Sequence, residues 1–177
     1  MLIGVTVSGR LFSYVGPADI ADLVRPDGRG QCIRSATEFG AWVSARAAQE
    51  LIEPFTFVVD AAGVLRLAPR RSEHVVCAGG EAVLAAGEIR FGCEAGRWAV
   101  VEVSNQSTGY CPSLGSWSAV AEALDRVELV RPDGFTHEVV FRRCRSCREV
   151  NIVREEDFVC VFCDEVLPLE WNIDDGR

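Results

Sequence analysis

The C-terminal part of the sequence reads Cys144-Arg-Ser-Cys147, then twelve residues, then Cys160-Val-Phe-Cys163. Two C-x-x-C pairs at this separation each place two thiolates on a tight turn, and a hairpin between them brings the turns together. The flanking stretches favour strands, Glu138-Val-Val-Phe-Arg142 before the first pair and Glu149-Val-Asn-Ile-Val153 after it. The spacing therefore predicts one metal site with these four cysteines as ligands.

This pattern resembles the zinc ribbon fold over residues 136–172, and the resemblance implies one structural Zn²⁺ ion. A catalytic zinc keeps an open coordination position, whereas four thiolates close the shell. A redox pair or a catalytic metal is the alternative that the spacing leaves open. We expect a structural site, which contributes folding free energy and little chemistry. Its predicted ligands are Cys144, Cys147, Cys160 and Cys163.

The composition is that of a globular protein, with 177 residues, a formal net charge of -8 and 49% hydrophobic residues. All 18 basic residues are Arg, which excludes chemistry that needs a lysine amine. We find no signal peptide and no apolar run of membrane length, so we expect a soluble, cytoplasmic protein with reduced thiols and no membrane partner.

A nucleic-acid partner is allowed but not favoured. Four arginines surround the first cysteine pair and offer a local basic patch: Arg142, Arg143, Arg145 and Arg148. The acidic balance of the chain opposes a general nucleic-acid binder, because neutralising phosphates requires a basic face. We expect a protein or a small polar ligand as the partner, and the sequence does not determine the oligomeric state.

The residues before the ribbon predict an α+β domain over 1–135, with a mixed or antiparallel sheet and two main helices. A capping box of Ser35 and Glu38 predicts that the first main helix begins at Ser35 and continues to Ile52. We expect the second main helix at residues 116–127 and a short helix at residues 17–23. The last residues, 173–177, are expected to form a tail. The strands are expected at residues 1–7, 55–59, 64–67, 82–91 and 98–103.

Residues 73–112 form a segment rich in small and polar side chains, which we call the polar cassette. It ends in Ser104-Asn-Gln-Ser-Thr-Gly-Tyr-Cys-Pro112, where hydrogen-bonding side chains follow a predicted strand. Strand ends favour ligand pockets. We therefore predict a polar pocket, although a turn-rich loop that caps its own backbone is an open alternative. The candidate ligand-binding residues are Glu73, Ser104, Asn105, Ser107 and Thr108.

A small enzyme is the alternative to a binding or adaptor module. His74 suits acid–base chemistry because histidine titrates near neutral pH. On a strand, the adjacent Glu73 would point to the opposite face, so Glu88 is the better partner. Tyr110 would then orient a polar substrate, which makes His74, Glu88 and Tyr110 the catalytic candidates. Cys111, near a predicted helix start, is a further candidate nucleophile.

The polar cassette also resembles a module of bacterial polymorphic-toxin-associated proteins and plant IQ-motif proteins. The matching positions are His74, Gly79-Gly80, Ala86-Gly87-Glu88 and Ser107-Thr-Gly-Tyr-Cys-Pro112. Val75 and Gly109 depart from it, since the module has Ser and His there. The resemblance implies a shared polar pocket. We expect a bacterial protein and, for the enzyme alternative, a polar, nucleotide-like substrate in a toxin or defence setting.

Overall fold

The computed structural model describes residues 9–174 and shows an α+β fold with an antiparallel sheet, as predicted. Five strands pair in the order β1-β3-β2-β4-β5. Their bounds are β1 Gln31–Ile33, β2 Phe55–Asp60, β3 Leu65–Ala68, β4 Val83–Glu94 and β5 Arg97–Val103. The strand predicted at residues 1–7 lies outside the described residues.

Within the described part of the chain, four α-helices accompany the sheet: α1 Ala18–Ala21, α2 Ala36–Ser44, α3 His74–Cys77 and α4 Trp117–Arg126. The Ser35 side chain caps α2 by accepting a hydrogen bond from the Glu38 amide at 3.2 Å. The predicted continuation of this helix to Ile52 is wrong. The Ser44 hydroxyl bonds back to the Gly40 carbonyl and α2 ends there, before a separate 3-10 helix at Glu50–Ile52.

The sheet is covered on both faces, and β2 is therefore buried along its whole length. Helices α2 and α4 pack on one face around Phe57, Trp42 and Leu124. On the other face, Val58 packs with Val75 of α3 and with Tyr110. Continuous burial explains why four of the five residues in Phe55-Thr-Phe-Val-Val59 are apolar rather than alternating with polar ones.

The short helix α3 corrects the treatment of Glu73 and His74 as neighbours on a strand. Glu73 is the N-cap residue and His74 is the first residue of the helix. Val75 and Cys77 are buried, and the turn ends at Gly79 and Gly80, both with positive φ. The apolar pair Val75-Val76 suits a strand by propensity, but packing against β2 favours the helical turn.

A second, two-stranded sheet follows, formed by β6 (Val140–Arg143) and β7 (Val150–Val153) in antiparallel register. The segment before β6 runs beside β5, with a parallel bridge between Ser104 and His137. Ile173, in the predicted tail, is 1% exposed and packs with Val139 and Phe141. The predicted division at residue 135 stays a prediction.

Trp171, near the end of the described residues, contacts two segments that pack against the five-stranded sheet. Its indole N–H donates to the Cys111 carbonyl at 2.8 Å, and its ring meets the ring of Phe12 edge-on with centroids 5.3 Å apart. Nearby, Arg10 and Asp174 form an ion pair at 3.0 Å. Within residues 9–174, no helix has the length and apolar character needed to cross a bilayer.

Candidate functional site

The four predicted ligands come together at the end of the small sheet. The Sγ atoms of Cys144, Cys147, Cys160 and Cys163 all lie within 4.8 Å of one another. The Sγ atoms of Cys144 and Cys163 are 3.6 Å apart, and those of Cys147 and Cys160 are also 3.6 Å apart. Tetrahedral zinc with Zn–S bonds of about 2.3 Å would separate its sulfurs by about 3.8 Å. The cluster therefore has the size of a four-thiolate metal site.

The two cysteine pairs lie on turns with the same backbone hydrogen bonds; we call these turns the first and second knuckle. In the first, the Cys144 amide donates to the Glu149 carbonyl and the Cys144 carbonyl accepts from Arg148. In the second, Cys160 makes the matching bonds to Glu165 and Asp164. The residue after each pair has positive φ, 69° at Arg148 and 61° at Asp164. The equivalence shows two copies of one local structure around the four thiols.

Asn151 links the two knuckles and was not found by sequence reasoning. Its side-chain amide donates to the Glu149 carbonyl at 3.1 Å and to Cys160 Sγ at 3.5 Å, while its carbonyl oxygen accepts from the Val161 amide at 2.9 Å. The residue is 2% exposed. The only signal in the sequence was an amide between the apolar residues of β7. Such bonds orient metal ligands and tune their basicity.

The electrostatics of the cluster favour a bound cation. Burial raises the pKa of the Cys160 thiol, but hydrogen bonds from the Phe162 amide and the Asn151 side chain outweigh it and lower the pKa to about 6. The Glu149 amide lowers the pKa of Cys147, but loss of solvent and the neighbouring thiols raise it to about 12. Adjacent thiolates repel one another, so all four ionise together only around a metal ion. The donor set fits zinc.

The side chains of Arg142 and Arg143, near the first knuckle, make hydrogen bonds within the chain. Arg142 donates to the carbonyls of Pro168 and Leu169 and lies over the Phe158 ring, 5.6 Å from its centroid. The Arg143 side chain donates to the carbonyls of Ile173 and Arg148. These guanidinium groups therefore hold the last turns of the ribbon in place.

The structure does not bring the three catalytic candidates together around one pocket. Nε2 of His74 lies 2.9 Å from the Gly87 carbonyl, and burial lowers the pKa of His74 although nearby Glu88 raises it. Tyr110 is 1% exposed and its hydroxyl donates to the Glu81 carbonyl at 2.7 Å. Burial also raises the pKa of Tyr110. The catalytic role of these residues stays a prediction.

Glu88 and Ser104 line a surface pocket of about 530 Å³ between β5 and the segment that leads to the ribbon. Of the other side chains there, Glu102 is bound by Arg90 through two hydrogen bonds of 2.9 Å. Among the described residues, the lining comprises Pro54, Glu88, Glu102, Val103, Ser104, Gln106, Thr136 and His137. The pocket thus contains one predicted ligand-binding residue, Ser104, and one of the three catalytic candidates, Glu88.

The remaining polar candidates lie elsewhere. Asn105 is fully buried: its amide donates to the carbonyls of Val139 and Pro112, and its oxygen accepts from the Val139 amide at 2.7 Å. Ser107 is buried and its hydroxyl accepts from the Tyr110 amide, whereas Thr108 and Glu73 are exposed. Asn105 and Ser107 thus satisfy backbone groups of the fold, which is the role that the turn-rich alternative describes.

Cys111 is a buried thiol in a strained turn, with a φ of 46°. Its Sγ donates to the Thr108 carbonyl at 3.2 Å, and burial raises its pKa to about 12. Burial likewise raises the pKa of Cys77 to about 12. Both thiols are therefore protonated at neutral pH, and neither has the depressed pKa of a reactive nucleophile.

Comparisons with known protein families, with curated proteins and with solved structures found no match. The resemblance of the polar cassette to the toxin-associated and IQ-motif module is therefore unsupported. The geometry of the four-cysteine cluster suggests a metal-binding module independently of these comparisons.

Proposed function

We propose that this chain is a cytoplasmic zinc protein in which a structural four-cysteine ribbon supports a binding or adaptor role. The observation that carries the proposal is the approach of four Sγ atoms to within 4.8 Å of one another. Zinc in such a shell has no open position for a substrate or a water molecule, so its contribution is to folding.

The binding role is favoured over catalysis by what the candidate acid–base groups do. His74 and Tyr110 each direct a polar atom at a backbone carbonyl, at 2.9 Å and 2.7 Å. Groups held in this way serve packing and leave little freedom for proton transfer to a substrate. An adaptor needs only a rigid surface, and a ribbon held together by a metal ion supplies one.

Metal analysis of the purified chain tests the assignment. We expect about one zinc ion per chain, because tetrahedral four-thiolate sites select zinc or iron and only iron would colour the protein. Cys144→Ser should lose the metal and unfold the ribbon. Cys93→Ser is the matched control, since Cys93 is an exposed free thiol of β4. This variant should keep the metal and the folded ribbon. A folded wild-type protein without metal, or one that holds iron, would overturn the proposal.

A further inference from the structure

The second knuckle exposes apolar side chains at the end of the ribbon. Val161 and Phe162, between its two cysteines, are 75% and 61% exposed, and Val166 is 72% exposed. Val159 and Val166 face each other across an antiparallel bridge that encloses residues 160–165. These four residues, Val159, Val161, Phe162 and Val166, are here called the knuckle surface.

The metal site does not need these side chains. The first knuckle has the same backbone hydrogen bonds, yet Arg145 and Ser146 stand where the second knuckle has Val161 and Phe162. Both pairs are exposed, so neither adds much to the core. The fold does not require these apolar side chains, and their exposure to water is unfavourable. Such a surface is typical of a contact with another molecule.

The charge around the knuckle surface specifies the chemistry of that molecule. Between residues 155 and 170 the chain has six acidic residues and no basic residue. All six are exposed: Glu155, Glu156, Asp157, Asp164, Glu165 and Glu170. Within residues 9–174, none of them forms an ion pair. The exposed apolar side chains therefore lie in a strongly acidic segment of the chain, which favours a cationic partner.

We propose that the knuckle surface docks a segment of a partner protein that presents apolar side chains beside Arg or Lys. The proposal rests on the proposed function, because the zinc-bound knuckle holds the surface in place. A second copy of the chain fits poorly, since a two-fold contact would bring two acidic segments together. Nucleic acid and anionic membranes are repelled by the same charges.

Selection from a phage-displayed library of random dodecapeptides tests the proposal. The full-length, zinc-loaded chain is the target, and the double variant Val161→Arg with Phe162→Ser is used for counter-selection. This variant gives the second knuckle the side chains of the first, so it should fold and keep its zinc. We expect enriched peptides that combine apolar residues with Arg or Lys, and synthetic copies that bind the variant at least about tenfold more weakly.

A second variant tests the charge separately from the apolar contact. Asp164→Asn with Glu165→Gln removes two charges, and Asn tolerates the positive φ at residue 164. Peptide affinity should fall, and it should depend less on salt than in the wild type.

Several results would overturn the docking proposal. They are a lack of enrichment over the counter-selection, enrichment of acidic peptides, and self-association of the wild type that the Val161→Arg and Phe162→Ser changes abolish. The metal content of the protein distinguishes failure of the docking proposal from failure of the proposed function. Zinc-loaded protein without peptide binding refutes only the docking surface, whereas folded protein without zinc refutes the ribbon assignment.

Discussion

Asn151→Ala should weaken zinc binding although Asn151 is not a ligand. The change removes the N–H donor that lies 3.5 Å from Cys160 Sγ and the acceptor that holds the Val161 amide at 2.9 Å. At 2% exposure, there is little room for water to replace these bonds. The Glu149 carbonyl keeps its bond from the Cys144 amide, so the first knuckle retains its own backbone geometry.

The size of the effect follows from the kind of contact that is lost. Removing a hydrogen-bond partner of a metal ligand costs about 10-fold to 100-fold in metal affinity, or about 1.4–2.7 kcal/mol. The lost bond to the Val161 amide adds about 1 kcal/mol to the folding cost. We therefore expect the apparent zinc affinity to fall at least about tenfold, measured by competition with a chromophoric chelator.

Substitution of zinc by Co²⁺ separates a role in ligand positioning from simple destabilisation. Cys160 should become more electron-rich without its N–H donor, which moves the sulfur-to-cobalt charge-transfer band to lower energy. Asn172→Ala is the matched control: Asn172 is also buried in the ribbon, and its two 2.8 Å bonds are to the Arg143 backbone. It should lower stability and leave the band in place. Wild-type affinity and an unshifted band for Asn151→Ala would refute the reasoning.

Three further predictions concern the polar cassette. Asn105→Asp keeps the acceptor but points a buried carboxylate at two carbonyls, so urea unfolding should show a loss of about 2–4 kcal/mol. Burial should raise the pKa of this carboxyl in the folded state, so the loss should shrink at mildly acidic pH; a pH-independent loss would contradict this. Gly87→Ala would drive a Cβ into the Ser104 carbonyl and should cost about 3 kcal/mol or more in thermal unfolding, while Gly40→Ala, in open space, should not destabilise. Because burial lowers the pKa of His74, the folded state binds fewer protons than the unfolded chain below about pH 6.5. Stability should therefore fall as the pH drops below that value, and less so in His74→Gln; equal pH profiles of the two proteins would exclude this cause.

The metal site was predictable because its ligands are close in the sequence. Each C-x-x-C pair forms a turn by itself, and the twelve residues between the pairs suffice for one hairpin. Asn151 escaped prediction because its role depends on a contact with Cys160 across the hairpin. An isolated Asn in a strand pattern carries no sign of such a contact.

The polar cassette shows what sequence reasoning cannot separate. A run of hydrogen-bonding side chains after a strand looks the same whether it faces a ligand or satisfies buried backbone groups. Asn105 and Ser107 satisfy buried backbone groups, and Tyr110 is buried with its hydroxyl bonded to a carbonyl. The extent of the first main helix was equally hidden, because the side-chain bond from Ser44 to Gly40 is not visible in an apolar periodicity.

The contacts of Trp171 predict that the ribbon and the five-stranded sheet unfold as a single cooperative unit. An indole bound to the Cys111 carbonyl and packed on Phe12 cannot stay in place if the ribbon melts, and Asn105 then loses its partners at Val139 as well. Chelation at the four thiols should thus lower the melting temperature of strands that contain no ligand, and calorimetry should show one transition rather than two.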